Sequence, residues 1–375
     1  MRYLALILKN LFRNKRRTAL TVFSIAVSLF IFSALVSLPT VANQILADTA
    51  SSMRVVTHNK SGLTYEVPIA YRPKIAAIPH VQAVVAQAWF GGILHEVTDQ
   101  FPNMAVDADQ AEQMWPDWGV TPAQWEQFRK LRTACLVGPD TMKRFNLHLG
   151  QQITLKGTLY RFNVTLQIVG VFNNKAPNFL FFHRDYLDEA NGGHSYNDEI
   201  WSRVDSSANI PQAIAAIDEQ FANSSAETQT ESEAAFIGGF IKNYRMIFNL
   251  AEILGIVVVI TIGLVAANTA AMSIRERRGE IAVMRSMGFP SGTILSLLLG
   301  ESFVIGLIGG LIGCGAAFGV LHLAPGIGDL SSIHMPARIL IETLVAASFI
   351  GLLSAWVPAR AASRMNITEA LRMVA

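Results

Sequence analysis

Apolar residues in this chain gather into four long runs, at about 19–38, 250–272, 294–323 and 339–357. Each is near or above the ~20 residues that a helix needs to cross the hydrocarbon core of a bilayer, and the third is long enough to tilt or to reach beyond it. Four transmembrane helices are therefore predicted, at residues 19–38, 248–272, 291–323 and 339–357. Between 39 and 247 the pattern breaks into short segments of mixed period.

Within that stretch, 53–58 reads as a strand, 71–78 as a helix and 81–90, after Pro79, as a strand again. These make one strand-helix-strand unit. A second combines a strand at 179–183, a helix near 185–190 and a strand at 199–204, and it leads into a helical apolar face of Ile210, Ala213, Ile214, Ile217 and Phe221. Asn209 stands where it could cap that helix. Between the units, Thr121-Pro122-Ala123-Gln124 is a capping box with proline at the first helical position, opening a short helix toward Lys130. Strands follow at 133–137, 152–156 and 160–172, the last two joined by Gly157-Thr158 as a hairpin. The expected fold is thus an α-helical membrane protein with a large α+β domain at 39–247, into which a β-rich lobe at about 92–175 is inserted. From 233 to 272 the one place for a bend is Gly238-Gly239. A single helix of roughly 60 Å, at about 1.5 Å per residue, is expected to run on into the loop that follows.

Composition agrees with membrane spans, with 51% hydrophobic and 15% charged residues. Orientation follows from lysine and arginine close to the spans. Arg2, Lys9, Arg13, Lys15, Arg16 and Arg17 precede the first without one acidic residue, Arg275, Arg277, Arg278 and Arg285 separate the second from the third, and Arg360, Arg364 and Arg372 follow the fourth. Segments 1–18, 273–290 and 358–375 are assigned to the cytoplasm, with 39–247 and the short loop 324–338 outside. The first run exceeds the core of about 7 to 15 residues usual in a cleaved signal peptide, so an uncleaved anchor is expected. Topology accounts for the net charge of +2, leaving no reason to expect nucleic acid. Cys135 and Cys314 are predicted to lie far apart and to form no disulfide.

The loop between the second and third runs is basic and amphipathic: Ile274, Ile281, Met284 and Met287 form an apolar stripe, and Gly288 and Pro290 close it. A short helix along the membrane surface is expected there. The series Ile274, Arg275, Glu276, Arg277, Arg278, Glu280, Ile281, Met284, Arg285, Met287, Gly288 closely resembles the coupling segment of the MacB/FtsX-like ABC transporter permease family. Further matches are the N-terminal Asn10-Leu11 with Arg13, Lys15, Arg17 and Thr18, the stretch 136–155 followed by Val169-Gly170-Val171, and a tail running from Pro358-Ala359 to Ala370-Leu371-Arg372. Departures are a glutamine at 151 or 152 where aspartate is usual, a short 174–182 stretch, and Asn366-Ile367 in place of a proline.

What the resemblance implies is a multi-pass permease of the bacterial cytoplasmic (inner) membrane, with both termini inside. Its outer domain would be a porter-like lobe interrupted by a β-rich one. It would work as a homodimer, or as a heterodimer with a related permease, on two copies of an ABC ATPase subunit, and a periplasmic adaptor is a possible further partner. ATP and Mg would be bound by the ATPase; no cofactor is expected in this chain, which carries no GxxxxGK[ST] phosphate loop. Conformational work would then be transmitted outward, for export or extrusion of a substrate or, alternatively, for lipoprotein release or control of cell division. A secondary transporter would call for internal repeats and broken midplane helices, and a membrane-anchored sensor would need no coupling loop.

Within the third run, Gly306, Gly309, Gly310, Gly313, Gly315 and Gly319 form overlapping small-xxx-small pairs that let helices approach closely, either inside the chain or in a second copy. Glu301 is an intramembrane carboxylate and so a functional candidate, for which a structural hydrogen bond or a salt bridge to a cytoplasmic arginine is expected in preference to proton or ion coupling. Asn268 reads as interhelical glue, and the basic N-terminal segment as a binder of anionic lipid. No HExxH, GxSxG or clustered His/Cys set occurs, and a non-catalytic subunit without a metal site is expected.

Overall fold

Along the chain, the computed structural model runs through α1 (Lys15–Ala50), β1 (Arg54–Asn59), α2 (Tyr71–Ala76), β2 (Val81–Trp89), β3 (Asn103–Val106), α3 (Ala111–Met114), α4 (Pro122–Lys130) and β4 (Ala134–Val137). It continues through α5 (Pro139–Arg144), β5 (Gln152–Lys156), β6 (Asn163–Val171), β7 (Leu180–His183), α6 (Arg184–Ala190), β8 (Glu199–Val204), α7 (Ile210–Phe221) and β9 (Thr228–Ser232). Four further helices complete it: α8 (Glu233–Glu276), α9 (Arg278–Ser286), α10 (Ser291–Leu323) and α11 (Ala337–Ser363). The described residues are 10–11, 13–173, 176, 178–193, 197–323 and 337–364. Arg2, Lys9, most of the 324–338 loop and the tail beyond Arg364 lie outside them. The chain divides into a helical unit, Met1–Ala42 with Tyr244–Ala324 and Ile333–Ala375, and an α/β unit, Asn43–Asn243 with Pro325–Ser332.

Among the described residues, four helices are long and apolar enough to cross a membrane: α1, α8, α10 and α11. Two of them run past prolines that the pattern treated as boundaries. Pro39 lies inside α1 and Pro358 inside α11. Near Pro39, whose nitrogen carries no proton for the Leu35 carbonyl, Ser37 Oγ donates to the Ala34 carbonyl and Thr40 Oγ1 to that of Val36. Helix α8 likewise passes through Gly238-Gly239 without a break.

Glycines on α10 set the packing of the helical unit. A Cβ at Gly306 would lie 2.7 Å from the Ala347 carbonyl of α11, and one at Gly310 would lie 2.6 Å from Ala347 Cβ. On the adjacent face, a Cβ at Gly309 would come within 2.6 Å of Ile25 Cγ2 on α1, and one at Gly313 would collide with the Ala26 backbone. From α11, Gly351 returns the approach against the Ser302 carbonyl. Gly315 and Gly319 face open space. Between α1 and α11, the buried hydroxyls of Ser33 and Thr343 lie 3.0 Å apart, a polar link of the kind that joins helices in lipid. Asn268, by contrast, is exposed on α8, and no hydrogen bond from it to another helix occurs among the described residues.

In the α/β unit the described strands form one sheet in the order β5-β6-β4-β7-β3-β2-β8-β1-β9. Pairs β3·β7 and β4·β6 are parallel and the rest antiparallel. Segment 92–175 contributes β3 to β6 to this sheet. The capping box that opens α4 is present, with Thr121 Oγ1 accepting from the Gln124 amide and Gln124 Oε1 from the Thr121 amide. Asn209 makes no cap; its amide donates to Asp205 instead. An aromatic core of Trp115, Trp118, Phe172, Phe181 and Trp201 packs one part of the unit. Cys135 is buried on β4, where desolvation pushes its thiol up, and His183 packs on Phe128.

The first turn of α8 is rooted in this unit. Arg54 donates to Glu233 through Nε at 2.7 Å and to Asp117 through Nη1 at 2.9 Å, and Phe236 packs edge-on against Trp201. Glu199 accepts from Trp201 Nε1 at 2.8 Å and faces His58 across the β1·β8 pair. Burial pushes the Glu199 carboxyl up to about 7, and burial likewise raises its neighbour Asp198 to about 6.

Two outcomes follow. Gly313→Leu lowers the melting temperature of the purified protein, corresponding to a loss on the order of 2 kcal/mol from overpacking, whereas Gly315→Leu leaves it unchanged. Because the Glu199 carboxyl is raised on folding, its contribution to stability is complete below pH 4.5 and is lost as pH rises through about 7. Each pKa unit is worth at most about 1.4 kcal/mol. Melts at pH 5 and pH 8 check this: Glu199→Gln narrows the difference between them, and an unaltered difference refutes the assignment.

Candidate coupling site

Helix α8 stops at Glu276, and the joint is Arg277, whose φ of −101° and ψ of 14° interrupt the helical path. The single helix expected to run into the loop is therefore two, because α9 starts afresh at Arg278. Glu280 in the first turn of α9 and Arg285 in its last complement the helix dipole. Closure is a Schellman motif: the Phe289 amide donates to the Met284 carbonyl and the Gly288 amide to that of Arg285. This requires a left-handed residue, and Gly288 supplies a φ of +89° without a Cβ penalty.

The expected apolar stripe divides in two. Ile274, at the end of α8, and Ile281 are buried together with Ile294, Leu298, Ala359 and Ala362, and half-buried Met284 packs against them. These side chains seat α9 on α10 and α11 of its own chain. Met287 remains outside, 64% exposed, and Val283, one turn earlier, is 50% exposed. Arg275, Glu276, Arg278 and Phe289 are exposed beside them. The outward apolar strip is thus Val283-Met287 rather than Ile281-Met284, since α9 turns the Ala282 side inward.

Ion pairs surround the joint. Arg277 Nη1 donates to Glu301 of α10 at 2.7 Å and its Nε to Glu280 at 3.3 Å. Glu301 therefore makes the salt bridge anticipated for an intramembrane carboxylate, and Arg277 is the arginine. Arg17 pairs with Glu276 and Arg13 with Glu280. Arg285 Nη1 reaches Ser291 Oγ at 2.5 Å, across the turn into α10. Two arginines of the basic N-terminal segment are thus engaged by glutamates of the joint. Among the described residues, no group of three or more His, Cys, Asp and Glu side chains could hold a metal ion.

Two family models match the chain. The MacB-like periplasmic core domain matches residues 18–220, more than half of it, and the FtsX-like permease C-terminal domain matches residues 252–367, which include α9. The chain belongs to the MacB/FtsX-type ABC transporter permeases. An ABC transporter permease of Methanocaldococcus jannaschii is 22% identical over 97% of this chain and 96% of its own length. The ABC transporter permease YtrF of Bacillus subtilis is 30% identical over 34% of this chain and 33% of its own. The macrolide export ATP-binding/permease protein MacB of Psychrobacter cryohalolentis is 28% identical over 46% of this chain and 28% of its own. These last two matches span about a third or less of the relatives they concern. The crystal structure of the periplasmic region of MacB from Actinobacillus actinomycetemcomitans aligns with 53% of this chain and 98% of its own, at 14% identity and a TM-score of 0.39. As a MacB/FtsX-type permease the protein is the membrane component of an ABC transporter, a generally non-catalytic role that implies an ATPase within the same transporter.

Proposed function

We propose that this permease takes up ATP-driven movement from a separate ATPase subunit through the outward face of α9 and converts it into conformational work beyond the membrane, in export or extrusion of a substrate. The observation that carries this reading is the asymmetry of α9. One side is seated on the chain's own helices by Ile281 and Ala282, while Val283, Met287 and Arg278 are presented at the surface. A helix held firmly from beneath and bare above is suited to receive a push. The arginines flanking the apolar runs support placing α9 and both termini in the cytoplasm, with the α/β unit outside. Two ATPase copies, a paired permease and a periplasmic adaptor belong to the same proposal, as does ATP with Mg held by the ATPase.

The test is made on the permease reconstituted in liposomes with the ATPase that co-purifies with it. Burying one apolar side chain at an interface is worth roughly 1.5–3 kcal/mol, so Met287→Asp is expected to weaken ATPase binding at least about ten-fold. Val97→Asp, at an equally open position of the α/β unit, leaves binding intact. Unchanged binding and stimulation in the Met287 variant would remove α9 as the contact.

A further inference from the structure

A push on α9 does useful work only if α9 cannot swing away from it. The joint at Arg277 offers such freedom, since the backbone leaves helical geometry there and its main-chain hold consists of the Arg277 amide on the Ile274 carbonyl and the Ile281 amide on the Arg277 carbonyl. Something else must add to that hold. The joint residue's own side chain does so: Arg277 is only 18% exposed and reaches Glu301, 15% exposed, on a different helix, while its Nε holds Glu280 on α9. Beside this pair lies a cleft of about 220 Å³, bordered by Ile281, Met284, Leu297 and Leu298 as well as by the charged groups. Apolar packing between α9 and α10 is therefore incomplete on this flank, and the ion pair spans the gap.

We infer that Arg277 and Glu301 are positioning residues that tie the coupling helix to α10, so that load on α9 is delivered into α10 instead of being lost in rotation about the joint. This rests on the proposed contact at α9 and adds to it the route by which movement enters the helical unit. Several features agree. A carboxylate on an apolar helix is costly unless partnered, and a partly buried pair with both members engaged holds direction as well as distance, which an apolar contact does not. Arg17-Glu276 and Arg13-Glu280 bracket the joint on both sides and steady the same segment against α1 and its approach. The outer flank of α9 needs none of these groups, so positioning and partner contact are carried by different residues of one short helix.

The experiment uses the full-length permease in liposomes with its co-purifying ATPase. Cys135 and Cys314 are buried, so a spin label on Ser286→Cys, at an exposed site on α9, reports the motion of that helix. Glu301→Gln is expected to raise label mobility and to lower stimulated turnover roughly ten-fold, the loss of one charge-assisted contact. The permease concentration giving half-maximal stimulation should stay the same, because the binding face is untouched. Arg277→Glu behaves likewise, and the exchange Arg277→Glu with Glu301→Arg restores both mobility and turnover. Native mobility and turnover in Glu301→Gln overturn the inference, as does an exchange variant that melts normally yet stays uncoupled. Met287→Asp separates the two readings. If it leaves ATPase binding intact while Glu301→Gln still loosens α9, the contact reading fails and the positioning role stands; if it abolishes binding while Glu301→Gln changes nothing, only the positioning role fails.

Discussion

Close backbone approach at α10 is the constraint on which the helical unit depends. In lipid there is no hydrophobic gain from pressing one apolar helix against another, so contact must come from dispersion at short range, and short range requires small residues. Gly306 and Gly310 admit α11, and Gly309 and Gly313 admit α1. The same helix carries Ile294 and Leu298 beneath α9 and Glu301 opposite Arg277. Displacing α10 by one side chain's thickness would move the seat of the coupling helix and the acceptor of its ion pair together. The glycines thus act on the site from a distance, by deciding where its supports stand.

Much of this architecture was legible in the residues. Four apolar runs gave four long helices because the backbone of a spanning segment must satisfy itself, and the helix is the local way to do so. In the α/β unit, β5 and β8 fall at the predicted limits because alternation and flanking turns were clear, and Pro122 with its Thr121-Gln124 box defined α4. Strand β9 was not legible. It is Thr-Gln-Thr-Glu-Ser, polar throughout, and its inward positions Thr228 and Thr230 are stabilised by hydrogen bonds to Asp218 rather than by apolar burial. Strand β3 opens on a buried polar residue, Asn103, whose side-chain amide is satisfied by the Gly92 and Phe101 carbonyls, so its four residues form no continuous apolar run.

At the coupling segment the residue types were legible and their directions were not. Amphipathicity says that α9 has an apolar side; it does not say which apolar residues meet the chain itself and which are left over. That distinction depends on where α10 and α11 present Ile294, Leu298, Ala359 and Ala362, positions far along the chain. Helix ends were misjudged for a related reason. Proline lowers helix propensity by removing one donor, but in a long apolar helix the cost of exposing backbone to lipid favours continuing, as α1 does past Pro39.

The joint at Arg277 alters what the long helix can be asked to do. A rod that ran unbroken into the coupling segment would transmit every movement of that segment along its own axis. With α8 ending at Glu276, thrust on α9 divides according to stiffness, and the stiffer path is the one with more contacts. On one side are the non-helical Arg277 with its two main-chain bonds and the contact of Ile274 with Ile281; on the other are Ile281 and Ala282 packed on α10 and α11, the Schellman turn at Gly288 and the Arg277-Glu301 pair. The balance favours α10, which the glycines bind to both α1 and α11. Under the proposed contact at α9, movement entering there would reach three packed helices at once and drive a bundle rather than one rod.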